Sequence, residues 1–134
     1  EDPSVLAGVP VALPALTRAE KLQNRATRIG FDWPTPERVM DKVHEEVAEL
    51  EHELANGGSN ERLADEVGDL LFVCANLSRK LGIDAETALR AANTKFERRF
   101  RAMEISLTVN GDLGSATLED MEAGWETAKL EENL

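Results

Sequence analysis

Apolar positions along this chain recur every three to four residues, in blocks separated by glycine, proline, asparagine and aspartate. That period fits amphipathic helices, and no stretch alternates as a half-buried strand would. Five helices are predicted. The first runs from Ala15 to about Ile29 and stops at Gly30, a natural C-cap. Thr35 reads as the N-cap of a second, with Pro36 in its first turn, lasting to Ala55. The run Asn56-Gly57-Gly58-Ser59 breaks the chain, and Asn60 caps a third helix that ends near Leu81, before Gly82. Asp84 caps a fourth through Leu107, closed by Asn110-Gly111. Thr117 and Asp120 form a capping-box pattern for a short fifth helix. Residues 1–14, with Pro3, Gly8, Pro10 and Pro14, read as an arm or linker, and residues 15–134 as one domain. The expected fold is all-α, a bundle of about five helices.

At about 100° per residue the second helix lines up Val39, Val43, Val47, Leu50 and Leu54 as its core face. Glu46 and Glu49, three apart, lie together on one flank of that face, whereas Glu45 and His52 point away. The third helix repeats the pattern. Its core line is Leu63, Val67, Leu70, Leu71, Cys74, Leu77 and Leu81, with Glu66 and Asp69 on one flank. The short link at 56–60 makes the two helices antiparallel neighbours, so their acidic pairs can bring four carboxylates to one point.

Four such groups repel one another and raise each other's pKa values unless a hard cation sits among them. Oxygen ligands, and a preference for keeping waters beside phosphates, fit Mg²⁺. Zinc would want His or Cys, and the chain has only His44, His52 and Cys74. Glu49-x-x-His52 matches half of a di-iron motif, but no second copy and no inward histidine accompany it. With 26 acidic side chains, paired acids on solvated helix faces also arise by chance, and that alternative stays open.

The whole-chain charge narrows the field. Twenty-six acids against 15 bases give a net charge of −11, which argues against a general binder of nucleic-acid backbones. The longest apolar run, Leu70 to Ala75, is too short to span a bilayer, and no positively charged start leads into an apolar segment, so export is not expected. The lone Cys74 excludes an internal disulfide, fits a reducing cytoplasm and reads as a core residue. Bases concentrate in the fourth helix at Lys95, Arg98, Arg99 and Arg101. Lys95 and Arg99 flank its apolar line and can hold phosphate oxygens, or simply balance the acidic helices. Arg62, one turn before Glu66, can serve either purpose. Trp125, in line with Leu118 and Met121 and followed by Lys129, is a core anchor or a platform for a nucleobase.

Glu45-Glu46-Val47-Ala48-Glu49 followed by Glu66-Val67-Gly68-Asp69 resembles the EExxE…ExxD motif of the MazG-type nucleotide pyrophosphohydrolases. The flanks agree, at Arg28-Ile29-Gly30-Phe31-Asp32-Trp33 and at Asn93-Thr94-Lys95-Phe96-Glu97-Arg98-Arg99-Phe100, and the likeness continues to Trp125. The resemblance implies a bundle completed by homodimerisation. It implies hydrolysis of a nucleoside triphosphate at the α–β bond to monophosphate and pyrophosphate, with Mg²⁺ or, as a substitute, Mn²⁺. Carried onto this sequence, Glu46, Glu49, Glu66 and Asp69 hold the metal. Lys95 and Arg99 hold the phosphates, with Arg62 and Lys129 as further candidates, and Trp125 lies near the base or sugar. The expected role is cytoplasmic nucleotide-pool house-cleaning, without nucleic-acid or membrane partners. The rivals are a catalytically silent dimerisation or regulatory module of the same family and an acidic adaptor for a basic protein. The chain opens on Glu1 and carries one copy of a motif that relatives can hold in tandem, so excision from a longer parent, or a single-domain version, is expected.

Overall fold

The structure, a computed structural model, describes residues 1–109 and 111–133. Its helices are α1 (Ala15–Thr27), α2 (Pro36–Ala55), α3 (Asn60–Lys80), α4 (Ala85–Thr108) and α5 (Leu118–Glu132). A 3₁₀ turn at Leu113–Ser115, unforeseen in the sequence, precedes α5. No strand occurs among the described residues, so the all-α expectation holds. Among them, too, no helix is long and apolar enough to cross a membrane.

Local chemistry sets the ends. The Thr35 hydroxyl accepts from the Arg38 N–H at 3.3 Å, and Asp84 accepts from the Thr87 N–H at 3.1 Å. Thr117 and Asp120 form the expected reciprocal box, each accepting the other's N–H at 3.1 Å. At Gly30, φ is 85°, and paired bonds from Phe31 N–H to Ala26 O and from Gly30 N–H to Thr27 O close α1. One cap differs from expectation. Ser59, extended at ψ 160°, accepts from the Arg62 N–H at 3.2 Å, while Asn60 is already helical. Gly57, at φ 68°, completes the reversal early, so the first of two adjacent capping residues takes the role. Asn110, part of the predicted end of the fourth helix, lies outside the described residues.

The chain forms two compact units, 1–88 and 89–134. In the first, α3 packs against both α2 and α1. Glu46 meets Asp69, and one turn or two towards the link Arg62 reaches Glu53 at 3.6 Å, so α2 and α3 run antiparallel. Their packed faces are rotated from the predicted lines. Val39, Glu46, Val73, Ala75 and Asn76 are buried. Leu54 is 64% exposed, and Val67, Leu71, Cys74 and Leu81 are exposed as well. The expected core position of Cys74 is therefore corrected. Each apolar stripe is wider than one neighbour can cover, and the α2–α3 contact uses the carboxylate-bearing edge.

Polar bonds tie the rest of this unit to α3. Gln23 donates Nε2 to the Phe72 carbonyl at 3.0 Å. Asp32, in the connector before α2, accepts from Arg79 at 2.7 Å and Lys80 at 2.8 Å. The arm is clipped to α1 by Arg25, whose guanidinium donates to the Ala7 carbonyl at 2.5 Å. In the second unit Met103 is buried against Gly124, where a Cβ would stand 2.9 Å from Met103 Cγ.

Candidate metal centre

The carboxylate site grows out of the antiparallel register. Glu46 on α2 and Glu66 and Asp69 on α3 each offer an oxygen, and the three oxygens lie within 4.8 Å of one another. Glu46 is buried, Glu66 half-buried and Asp69 exposed, so the cluster is shielded at Glu46 and meets solvent at Asp69. Oε2 of Glu46 and Oε2 of Glu66 are closed to water and have no hydrogen-bond donor among the described residues. Buried carboxylate oxygens without donors are costly, which leaves room for a cation as their partner.

The electrostatics agree. Burial, then the charges of Glu49 and Asp69, push the Glu46 pKa up, against the pull of Lys42. Burial, then hydrogen bonding and charge from Glu49 and the charges of Asp69 and Glu46, push Glu66 up in the same way. Glu49 thus sits beside both groups, close enough for a shared proton to matter, without joining the three converging oxygens. Glu45 turns away, as its register predicts, and pairs with Lys42 at 2.9 Å.

Lys42 is the residue that sequence reasoning missed. Its ammonium lies 3.8 Å from Glu46 Oε1, and its charged form is favoured first by Glu45 and then by Glu46 and Glu49. Spacing held the signal, since Lys42 precedes Glu46 by one turn.

The predicted phosphate and base residues divide between the units. Arg62, in the first, reaches Glu53 rather than the acidic cluster and remains largely exposed. In the second, Arg98 and Arg99 grip the two oxygens of Glu132 at 2.8 and 2.7 Å, holding its pKa below the usual carboxylate value. Lys95 is exposed and in no ion pair among the described residues. Trp125 packs its ring 5.3 Å from Phe96, and Lys129 lies 3.6 Å from Glu126.

Comparison with known proteins gives the family. The family model of the MazG nucleotide pyrophosphohydrolase domain matches residues 34–103, just over half of the chain, a span that includes every member of the acidic cluster. This chain belongs to the MazG family. It is 45% identical over 131 residues to the nucleoside triphosphate pyrophosphohydrolase of Escherichia coli K12, covering 96% of this chain and 50% of that protein. It is 42% identical over 118 residues to the nucleoside triphosphate pyrophosphohydrolase/pyrophosphatase MazG of Thermotoga maritima, covering 87% of this chain and 45% of that one. An uncharacterized protein YabN of Bacillus subtilis is 39% identical over 127 residues, covering 94% and 26%. The chain thus spans half the length, or less, of these relatives.

Proposed function

We propose that this chain hydrolyses nucleoside triphosphates at the α–β bond, releasing a nucleoside monophosphate and pyrophosphate with the aid of Mg²⁺. The observation that carries this reading is the meeting of Glu46, Glu66 and Asp69 within 4.8 Å, two of them with donorless buried oxygens. Relatives named nucleoside triphosphate pyrophosphohydrolase support it. An all-oxygen, all-anionic donor set suits a hard divalent cation, Mg²⁺ first and Mn²⁺ as a substitute.

Glu46, Glu66 and Asp69 are the residues that hold the cation, with Glu49 as the fourth member beside them. Bound there, Mg²⁺ supplies a water of lowered pKa and screens the phosphate charge. Glu49, next to Glu46 and Glu66, is placed to accept a proton and orient a water towards the α-phosphorus. Lys42, at the mouth of the cluster, offers a cation to phosphate oxygens once it leaves Glu45. Lys95 and Arg99, with Arg62 and Lys129 as further candidates, are the remaining residues for charge forming on pyrophosphate. Arg99 must first exchange Glu132 for substrate.

Exposed apolar side chains support a homodimer. Val67, Leu71 and Cys74 continue one face of α3, and Phe96 and Leu89 stand exposed on α4. A cytoplasmic house-cleaning role fits such an activity. Pyrophosphate release measured across the canonical NTPs and dNTPs, with and without Mg²⁺, tests the reading. Release of pyrophosphate only with the cation is expected; no turnover of any triphosphate under both conditions would leave a silent MazG-like module.

A further inference from the structure

Acidic side chains outnumber basic ones by 26 to 15, yet one stretch reverses the sign. From Ala15 to Arg28 the bases Arg18, Lys21, Arg25 and Arg28 face the single acid Glu20. Glu20 is occupied elsewhere, its Oε1 accepting the Ala85 N–H at 2.6 Å. Lys21, Arg25 and Arg28, at i, i+4 and i+7, share one side of α1. None of the three has a carboxylate within ion-pair distance among the described residues. Beside them runs the N-terminal arm, bent into two tight turns in which the Ala7 N–H donates to Ser4 O at 3.1 Å and the Val9 N–H to Leu6 O at 3.4 Å. Arg25, half-buried, fixes the arm through Nη1, which donates to the carbonyls of Ala7 at 2.5 Å and Val5 at 3.4 Å. Its Nε and Nη2 have no acceptor among the described residues.

We propose that the hollow between the arm and α1 binds a polyphosphate anion. The hollow measures about 560 Å³, with Gly8, Pro10 and Leu13 of the arm on one wall and Lys21, Arg25 and Arg28 on the other. That volume falls within the range of about 300–1,000 Å³ usual for small-ligand sites. Three cations gathered without acids repel one another, and a multivalent anion between them removes that repulsion. Lys21 to Arg28 rises about 10 Å along α1, a span that suits a chain of phosphates better than one carboxylate. Guanidinium forks and a lysine point charge are the groups that grip phosphate oxygens. The arm's carbonyls already hold Arg25 in place, so less side-chain freedom is lost on binding. The site stands apart from the carboxylates. Asn24, on its rim, accepts from Arg79 Nη1 at 3.5 Å, and Arg79 lies ten residues beyond Asp69, about 15 Å along α3. The proposal therefore does not rest on the pyrophosphohydrolase reading.

Calorimetric titration of tripolyphosphate into the full chain tests the site, with EDTA present so that no divalent cation joins the carboxylates. One saturable site per chain is expected. Lys21→Gln combined with Arg28→Gln, both exposed on α1, should weaken binding roughly tenfold or more while circular dichroism stays unchanged. Lys95→Gln combined with Arg99→Gln should leave it as it was. Adenosine triphosphate in place of tripolyphosphate separates the sources of the anion. Tighter tripolyphosphate assigns the site to free polyphosphate, and tighter adenosine triphosphate to the tail of a nucleotide; the α1 variant should weaken both. No saturable heat with either anion overturns the proposal. Binding that survives the α1 variant and disappears in the Lys95 and Arg99 variant puts the anion at α4 and overturns it too. A hexaglutamate peptide that displaces tripolyphosphate at equal or lower concentration makes this face a dock for acidic protein, which also overturns it.

Discussion

Glu46 carries two charges of meaning at the scale of single residues: it is buried like a core side chain and surrounded by acids like a ligand. Replacing it by glutamine keeps the shape and removes the charge. Glu46→Gln should lower Mg²⁺-dependent turnover by about 10²-fold or more, while circular dichroism shows the helices intact. Its raised pKa also has a sign. A carboxylate whose folded pKa lies above its unfolded value stabilises the fold below the unfolded pKa and loses that contribution as pH rises. Glu46 and Glu66 both shift this way, so the cation-free protein carries its repulsion at neutral pH. Added Mg²⁺ should therefore raise the melting temperature more at pH 7.5 than at pH 5; an equal shift at both would argue that these groups are not its ligands. The helical register exposed this cluster from sequence alone, because i and i+3 positions on consecutive helices are fixed by geometry. Lys42, Gln23 and Asn76 were not legible, since a polar residue one turn from an acid, or inside an apolar stretch, acquires its meaning only when the opposing helix is in place.

Among the elements, the helices themselves were readable because caps and glycines mark their ends, to within a residue at Ser59. The direction of each packed face was not. Periodicity finds the centre of the apolar stripe on α3, near Val67 and Cys74, whereas the contact lies nearer Glu66, Val73 and Asn76. A stripe that serves more than one neighbour has no single core line. The connector offers a sharper test. Asp32, its side chain 23% exposed, joins the end of α1 to the end of α3 through Arg79 and Lys80. Partial burial opposes its charge, but the hydrogen bonds and charges of Lys80 and Arg79 prevail and lower its pKa. Asp32→Asn should cost about 1 kcal/mol in urea unfolding, near the upper end for solvent-screened pairs. A depressed carboxylate pKa stabilises above the unfolded value and ceases to as pH falls, so the deficit should shrink below the ordinary 3.8. In the second unit, Gly124→Val pushes a branched side chain into Met103 and should destabilise by about 1–3 kcal/mol.

For the whole molecule, a net charge of −11 argues against a polyanion-backbone binder without arguing against a polyanionic substrate. Three of the 26 acids converge on one point, where a bound cation would reverse the local sign. The exposed apolar faces of α3 and α4 lead to a further expectation: sedimentation should find a dimer, and a charged residue at Leu71 should shift it towards monomer. The central claim is that the carboxylates work through a divalent cation on a nucleoside triphosphate. Pyrophosphate release, followed for the wild-type chain and for Glu46→Gln and Asp69→Asn with and without Mg²⁺, tests it most directly. The account predicts release by the wild type only with Mg²⁺, and loss of nearly all of it in both folded variants. Full Mg²⁺-dependent release by either variant would contradict it.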